Sequence, residues 1–225
     1  MIPLRDDIRA RRRPYVTWAL IAACGVVYAY QFFTDTTNPE AGRNLVLSFG
    51  MIPENVTHGK ALWTLLTSMF MHGGIFHFLG NMLYLWIFGD NVEDHFGRPL
   101  YVVLYVLSGV FGSVLHILVA PGSHIPTIGA SGAISGVLGA YFILFPRARV
   151  LTLVPIFFFI RVFYLPAFVL LGFWILMQVL YGCSTVAGGS GVAYFAHIGG
   201  FAVGILLALL IRRRRGREAV WYDIS

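Results

Sequence analysis

Apolar residues along the chain gather into blocks of about 20, separated by shorter polar stretches. A helix that rises 1.5 Å per residue needs about 20 residues to cross roughly 30 Å of hydrocarbon. The pattern therefore predicts six membrane-spanning helices, at residues 15–33, 76–91, 100–120, 131–145, 162–180 and 194–211. We expect an all-α membrane protein built as a bundle of six transmembrane helices.

The stretches between the predicted spans differ in character. Residues 34–75 mix charged side chains with Trp63 and Phe70, so we expect part of this outer stretch to rest in the membrane interface. Residues 150–160 allow two interpretations, a short interfacial or reentrant segment or the start of an unusually long fifth span. The fourth span is short, which predicts that its first turn lies below the outer surface and is reached by water.

The composition agrees with a lipid environment, since 58% of the 225 residues are hydrophobic and 12% are charged. Arginines cluster before the first span and after the last one. Such clusters mark cytoplasmic ends, so the net charge of +6 indicates topology and not nucleic-acid binding. The predicted division is a basic cytoplasmic N-terminus at 1–14, a six-helix domain at 15–211 and a basic cytoplasmic tail at 212–225.

Small residues predict which spans pack together. The fourth span carries Gly132 and Gly136, and the sixth carries Gly200 and Gly204. Pairs of small residues spaced by four let two helix backbones approach closely in lipid. We therefore expect the fourth and sixth spans to be neighbours, with their outer ends side by side.

A serine and a histidine lie at the start of these two spans. Both spans run from outside to inside, so Ser131 and His197 are expected at similar depth. A hydroxyl becomes a nucleophile when a positioned imidazole takes its proton, whereas an isolated serine or histidine in a span commonly serves helix packing. The matching depth favours the catalytic interpretation.

The second span adds a polar face made of His77, Gly80, Asn81 and Tyr84, at positions i, i+3, i+4 and i+7. An asparagine amide and an imidazole N–H can donate hydrogen bonds to an oxyanion. The same groups can instead hydrogen-bond neighbouring helices. The span alone leaves both interpretations open.

Three motifs resemble those of the rhomboid intramembrane proteases. Gly129-Ala130-Ser131-Gly132 is similar to the GxSG nucleophile motif of that family, and Ala196-His197-Ile198-Gly199-Gly200 is similar to its AHxxG base motif. His77-Phe78-Leu79-Gly80-Asn81 is similar to its HxxxN motif. Each motif is short, but three of them in this order on the second, fourth and sixth helices make a specific signal.

The resemblance implies a six-helix rhomboid bundle and a serine endopeptidase that cuts the transmembrane segments of single-span substrate proteins in the lipid bilayer. It implies Ser131 as nucleophile, His197 as base, and Asn81 and His77 as oxyanion donors, with no metal and no cofactor. The implied location is the cell membrane, multi-pass, with both termini cytoplasmic and the active site opening to the outer side. Glu93 matches an acidic residue that anchors the outer loop and helix ends in some members.

The chain departs from the family pattern in two positions. Thr64 follows Trp63 where many members have an arginine, and Ser135 stands four residues after Ser131 where some members have a tyrosine that stacks on the histidine. In addition, none of the predicted spans carries a carboxylate placed to complete a triad. A Ser–His dyad is therefore expected, with the histidine oriented by packing.

Other functions fit the sequence less well. A noncatalytic rhomboid-like factor that binds or dislocates client helices would use the same fold, but this chain retains both dyad residues. A transporter is disfavoured because inverted repeats are not evident. A zinc protease would need a spaced His/Glu set, whereas His58, His95 and His124 are expected in loops and His116 has no spaced partner. No motif indicates the natural substrate or the oligomeric state.

Overall fold

A computed structural model describes residues 1–156, 159–185 and 192–214. The helices are α1 (Tyr15–Thr37), α2 (Pro39–Phe49), α3 (Pro53–Thr57), α4 (Thr64–Thr67), α5 (Ile75–Phe96), α6 (Arg98–Val119), α7 (Ser131–Leu144), α8 (Ala167–Thr185) and α9 (Tyr194–Arg214), with a 3₁₀ helix at Ser68–Phe70. The strands are β1 (Ile2–Asp6), β2 (Arg149–Ile156) and β3 (Phe159–Pro166). The prediction of a helical membrane protein is confirmed, although the chain is mostly helical and not all-α, because three strands are present.

The long helices correspond to the predicted spans. Within the described residues, α1, α6, α8 and α9 are long and apolar enough to cross a membrane. The shorter apolar helix α7 has 14 residues, and α5 carries three acidic residues near its end. The count of six spans therefore stays a prediction, as does the cytoplasmic tail, most of which lies outside the described residues.

Several helix ends lie four or five residues from the predicted ones; for example, α1 ends at Thr37 and not at residue 33, and α8 ends at Thr185 and not at residue 180. Two of the differences involve neighbouring structure. The fifth span was expected from residue 162, but residues 162–166 belong to β3, and the helix begins at Ala167 directly after Pro166. The second helix continues beyond residue 91 to Phe96, because Val92 and Glu93 are buried against the rest of the bundle. The expectation that His95 lies in a loop is consequently wrong, since it falls in the last turn of α5.

A three-stranded antiparallel sheet was not predicted. Its order is β1-β2-β3, so the interpretation of residues 150–160 as the start of a long fifth span is wrong for the part that the structure describes. An interfacial location of this segment stays a prediction. The segment is rich in β-branched and aromatic residues, which favour strands, but its apolar run lacks the polar alternation that would have indicated one. The sheet ties the N-terminus to the connection between α7 and α8 and so keeps these parts on one side of the molecule.

The connection between α1 and α5 contains four short helical segments, from α2 to the 3₁₀ helix. Threonines anchor it to neighbouring backbone: the hydroxyl of buried Thr64 donates to the Ala61 carbonyl at 2.7 Å, and that of Thr67 donates to the Phe49 carbonyl at 2.7 Å. Trp63 remains 59% exposed. The loop is thus held without the arginine that many rhomboid sequences carry at the position of Thr64.

Helix α7 is the central helix of the bundle and is buried without interruption from Ala133 to Tyr141. Its glycines allow direct backbone contact with α9. A Cβ atom at Gly204 would overlap the carbonyl oxygen of Gly136, and one at Gly200 would overlap that of Gly132. The predicted close packing of the fourth and sixth spans is confirmed.

Candidate active site

Ser131 is the first residue of α7, and the backbone before it takes a conformation that favours glycine. Gly129 has φ of +138°, and a Cβ atom there would lie 2.8 Å from Cε1 of His77. A larger residue would therefore meet both backbone strain and a steric clash. Gly129 lets the chain turn into α7 with the Ser131 hydroxyl beside the His77 ring.

His197 lies in the first turn of α9, directly across from Ser131. Its Nε2 atom is 2.8 Å from Oγ of Ser131, a hydrogen-bond distance suited to proton transfer. The glycine packing of α7 against α9 explains why the two side chains meet, since both helices begin at the same end of the bundle. The structure thus brings together the two residues that the sequence analysis paired.

The other ring nitrogen of His197 has a partner that the sequence analysis missed. Nδ1 lies 2.8 Å from Oε1 of Gln178, a residue of α8. The sequence predicted that packing, and not an aspartate, orients the histidine, and the structure adds a hydrogen bond with an amide to that prediction. Gln178 belongs to no recognised motif, and the one signal that could have found it is a lone amide in an otherwise apolar span.

An aromatic ring also contacts His197. The ring of Trp174, one turn before Gln178 on α8, lies with its centroid 5.8 Å from that of His197 and is tilted by 36°. Ser135, which stands where some rhomboids have a stacking tyrosine, donates its hydroxyl to the Ser131 carbonyl at 2.6 Å. Among the residues that the structure describes, the aromatic contact to the histidine ring therefore comes from α8.

His77 and Asn81 lie on the α5 face that was predicted from their spacing. The backbone N–H of Gly73 donates to Nδ1 of His77 at 3.3 Å, so a neutral His77 carries its proton on Nε2, the atom nearer to Gly129. Nδ2 of Asn81 donates to the His77 carbonyl at 2.8 Å. An amide NH₂ group has two protons, so Asn81 brings a second N–H to the site.

These side chains line a cavity of about 950 Å³. Its wall comes from the 3₁₀ helix, α5, α6, α7, α8, the first turn of α9 and the connection between α6 and α7. It includes His116 and Trp174 as well as the predicted site residues. His116, which had no partner in the sequence pattern, therefore faces the same space. A hydroxyl, an acceptor imidazole and several N–H donors around one cavity are the groups that acyl transfer requires.

Comparison with known proteins points to one family. The family model described as Rhomboid domain matches residues 59–214. RHOMBOID-like protein 4 of Arabidopsis thaliana is 36% identical over 192 residues, which cover 83% of this chain and 45% of that protein.

Two further relatives extend the comparison. RHOMBOID-like protein 12, mitochondrial, also of Arabidopsis thaliana, is 29% identical over 91% of this chain and 60% of its own length. Rhomboid protease GluP of Bacillus subtilis is 30% identical over 57% of this chain and 24% of its own length. The chain thus spans less than two thirds of the length of each of these relatives.

Proposed function

The chain belongs to the rhomboid family, and from this premise we propose that it is an intramembrane serine endopeptidase acting through Ser131 and His197. The observation that carries the proposal is the 2.8 Å contact between Nε2 of His197 and Oγ of Ser131 at the wall of a large cavity. The relative named Rhomboid protease GluP supports the same reaction class.

In the proposed reaction, Nε2 of His197 takes the proton from Ser131 as Oγ attacks a peptide carbonyl carbon. The resulting tetrahedral intermediate collapses when His197 returns the proton to the leaving amine, and an acyl-enzyme remains. Water that enters the cavity then hydrolyses the ester, with His197 again as base. Each step uses the same imidazole, so its tautomer at the start of the cycle matters.

Three N–H groups are proposed to hold the oxyanion: Nε2 of His77, Nδ2 of Asn81 and the backbone N–H of Ser131. The last of these belongs to the first turn of α7, where backbone donors have no partner within the helix. Donors fixed in advance around a developing negative charge are commonly the largest contribution to acyl-transfer catalysis. The geometry of His77 supports its part, because its accepting Nδ1 leaves Nε2 as a donor.

The proposed substrates are single-span membrane proteins. A helical segment in lipid keeps its carbonyls hydrogen-bonded, so the substrate must unwind locally before Ser131 can attack it. Small or helix-breaking residues near the scissile bond favour such unwinding. We place the enzyme in the cell membrane, with both termini cytoplasmic and the cavity opening to the outer side, because the arginine clusters flank the first and last spans.

Replacing the proposed nucleophile tests the function. The purified full chain is reconstituted in lipid vesicles with a panel of single-span reporter proteins, and fragments are mapped by mass spectrometry. We expect Ser131→Ala to lower cleavage by roughly 10³-fold or more, because the attacking oxygen is gone. Ser184→Ala, an exposed serine near the end of α8, is the matched control and should cleave like wild type.

The same experiment separates the protease from a noncatalytic client-binding factor. Reporter co-purification with Ser131→Ala is measured alongside cleavage. A protease loses cleavage in this variant and keeps binding. Binding by wild type without cleavage of any reporter, unchanged in the variant, would refute the enzymatic proposal and favour the binding factor.

A further inference from the structure

The imidazole of His197 is held at both nitrogens by side chains from two different helices. Nε2 meets Oγ of Ser131 on α7 at 2.8 Å, and Nδ1 meets Oε1 of Gln178 on α8 at 2.8 Å. The three side chains therefore form a continuous chain of hydrogen bonds that begins at Ser131, the first residue of α7, and ends at Gln178 in α8.

The chemistry of these atoms determines the direction of each hydrogen bond. A neutral imidazole carries one N–H, and it can accept the serine proton at Nε2 only when that N–H sits on Nδ1. The side-chain carbonyl oxygen of glutamine only accepts, so the orientation in the structure, with Oε1 toward the ring, requires the proton on Nδ1. In soluble serine proteases a carboxylate performs this selection, and its loss leaves the wrong tautomer.

Helix α8 also restrains the ring face, through Trp174 one turn away from Gln178. Ser135 is engaged with the Ser131 carbonyl. Of the contacts described for the His197 side chain, α7 supplies the reacting hydroxyl, whereas α8 supplies both the tautomer-selecting oxygen and a ring contact. The base is accordingly aligned by a helix that carries neither member of the dyad.

We propose that Gln178 is a positioning residue that holds His197 in the Nδ1–H tautomer, with Trp174 restricting rotation of the ring. This inference rests on the proposed function for its kinetic consequence, but its tautomer assignment does not depend on catalysis. Because glutamine is neutral, it orients the histidine without bringing a negative charge into the bundle, where an unpaired charge is costly.

Variants of Gln178 test the inference. Gln178→Met removes the acceptor at similar volume, and Gln178→Asn keeps an amide but shortens its reach by about one carbon–carbon bond, roughly 1.5 Å. Gln178→Glu keeps an acceptor oxygen in place. We expect kcat of Gln178→Met and of Gln178→Asn to fall by roughly 10- to 100-fold, with KM nearly unchanged. We expect Gln178→Glu to retain most of the wild-type activity. Leu176→Met, an exposed position on α8, is the control.

The second readout is ¹⁵N NMR of the histidine-labelled protein, in which the His197 signals are assigned by their loss in His197→Gln. Wild type should show the Nδ1–H tautomer, and Gln178→Met a mixture of tautomers. The inference is overturned if folded Gln178→Met shows the same tautomer of His197 as wild type. If Gln178→Met does not fold, the same result in Gln178→Asn overturns it. This holds even if wild type cleaves no reporter, so the failure of the proposed function and the failure of this inference are distinguishable.

Discussion

At the scale of single residues, Glu93 shows how one buried carboxylate can organise a helix end that is far away in sequence. Its side chain is 3% exposed and accepts from the backbone N–H groups of Val16 and Thr17 at 3.1 and 2.8 Å and from the Thr17 hydroxyl at 2.9 Å. Pro14 precedes α1 and provides no side-chain cap of its own. Glu93 on α5 therefore supplies the cap that α1 lacks, where the helix dipole favours a negative charge.

Replacing Glu93 should destabilise the protein without touching the cavity. In Glu93→Gln, the amide NH₂ must face groups that are themselves donors, so hydrogen bonds are lost and the helix end loses its negative charge. We expect a loss of roughly 2–4 kcal/mol, or about 5–10 °C in the midpoint of thermal unfolding. Glu40→Gln, an exposed acid in the first turn of α2, is the control and should unfold within about 1–2 °C of wild type.

Some residues of the site could be predicted from the sequence, and one could not. Ser131, His197, His77 and Asn81 were nominated from spacing, depth and motif resemblance, and the structure brings them to one cavity. Gln178 was missed because its partner lies on another helix and an amide carries no motif. A sequence pattern identifies a reactive group more readily than the group that orients it.

At the scale of helices, the pairing of α7 and α9 depends on glycine. Gly136 and Gly204 lie in direct backbone contact, and so do Gly132 and Gly200. In lipid, association of helices relies on such close packing, because apolar side chains gain little by leaving lipid for protein. The same contact sets the distance between the two helix ends that carry Ser131 and His197.

A methyl group at this contact should therefore affect both stability and the site. We expect Gly204→Ala to push α9 away from α7, lower the unfolding midpoint by an amount corresponding to about 1–3 kcal/mol, and reduce reporter cleavage. Gly172→Ala on α8 is the matched control, since its Cβ would meet Phe142 at an ordinary 3.8 Å. Equal unfolding midpoints for the two variants would contradict the packing argument.

At the scale of the whole molecule, β1 joins the N-terminus to α5 and α7 of the bundle. Asp6 at the end of β1 accepts from the Tyr141 hydroxyl of α7 and from Nδ2 of Asn91 of α5, the latter at 2.9 Å. Burial raises the pKa of Asp6 from 3.8 to about 7. The hydrogen bond from Tyr141 lowers this pKa, whereas the negative charge of nearby Asp90 raises it further. The fold thus favours the protonated form of Asp6.

Docking of β1 should in consequence depend on pH. A carboxyl whose pKa is raised by folding contributes stability that is fully present below about pH 4 and is lost as the pH rises through about 7. We expect amide hydrogen exchange in residues 2–6, corrected for the intrinsic pH dependence of exchange, to show weaker protection at pH 8 than at pH 5. Asp6→Asn should remove most of this dependence, and a wild-type protection that grows with pH would contradict the assignment.

The sequence by itself determined that this is a membrane protein and where its long helices lie approximately. It also determined the small-residue pairing of the fourth and sixth spans and the residues of the proposed dyad. These properties can be predicted from short stretches of sequence, because hydrophobic length, residue size and short motifs each depend on neighbouring positions in the chain.

Only the tertiary structure decided the three-stranded sheet, the Glu93 cap on α1 and the contact between Gln178 and His197. Each joins groups from separate elements. Paired residues of β1 and β2 are 144 to 151 positions apart, and Glu93 and Thr17 are 76 apart. Gln178 and His197 are only 19 residues apart but lie on two different helices. A hydrogen bond depends on distance and direction in space, and those are set by packing of the whole bundle.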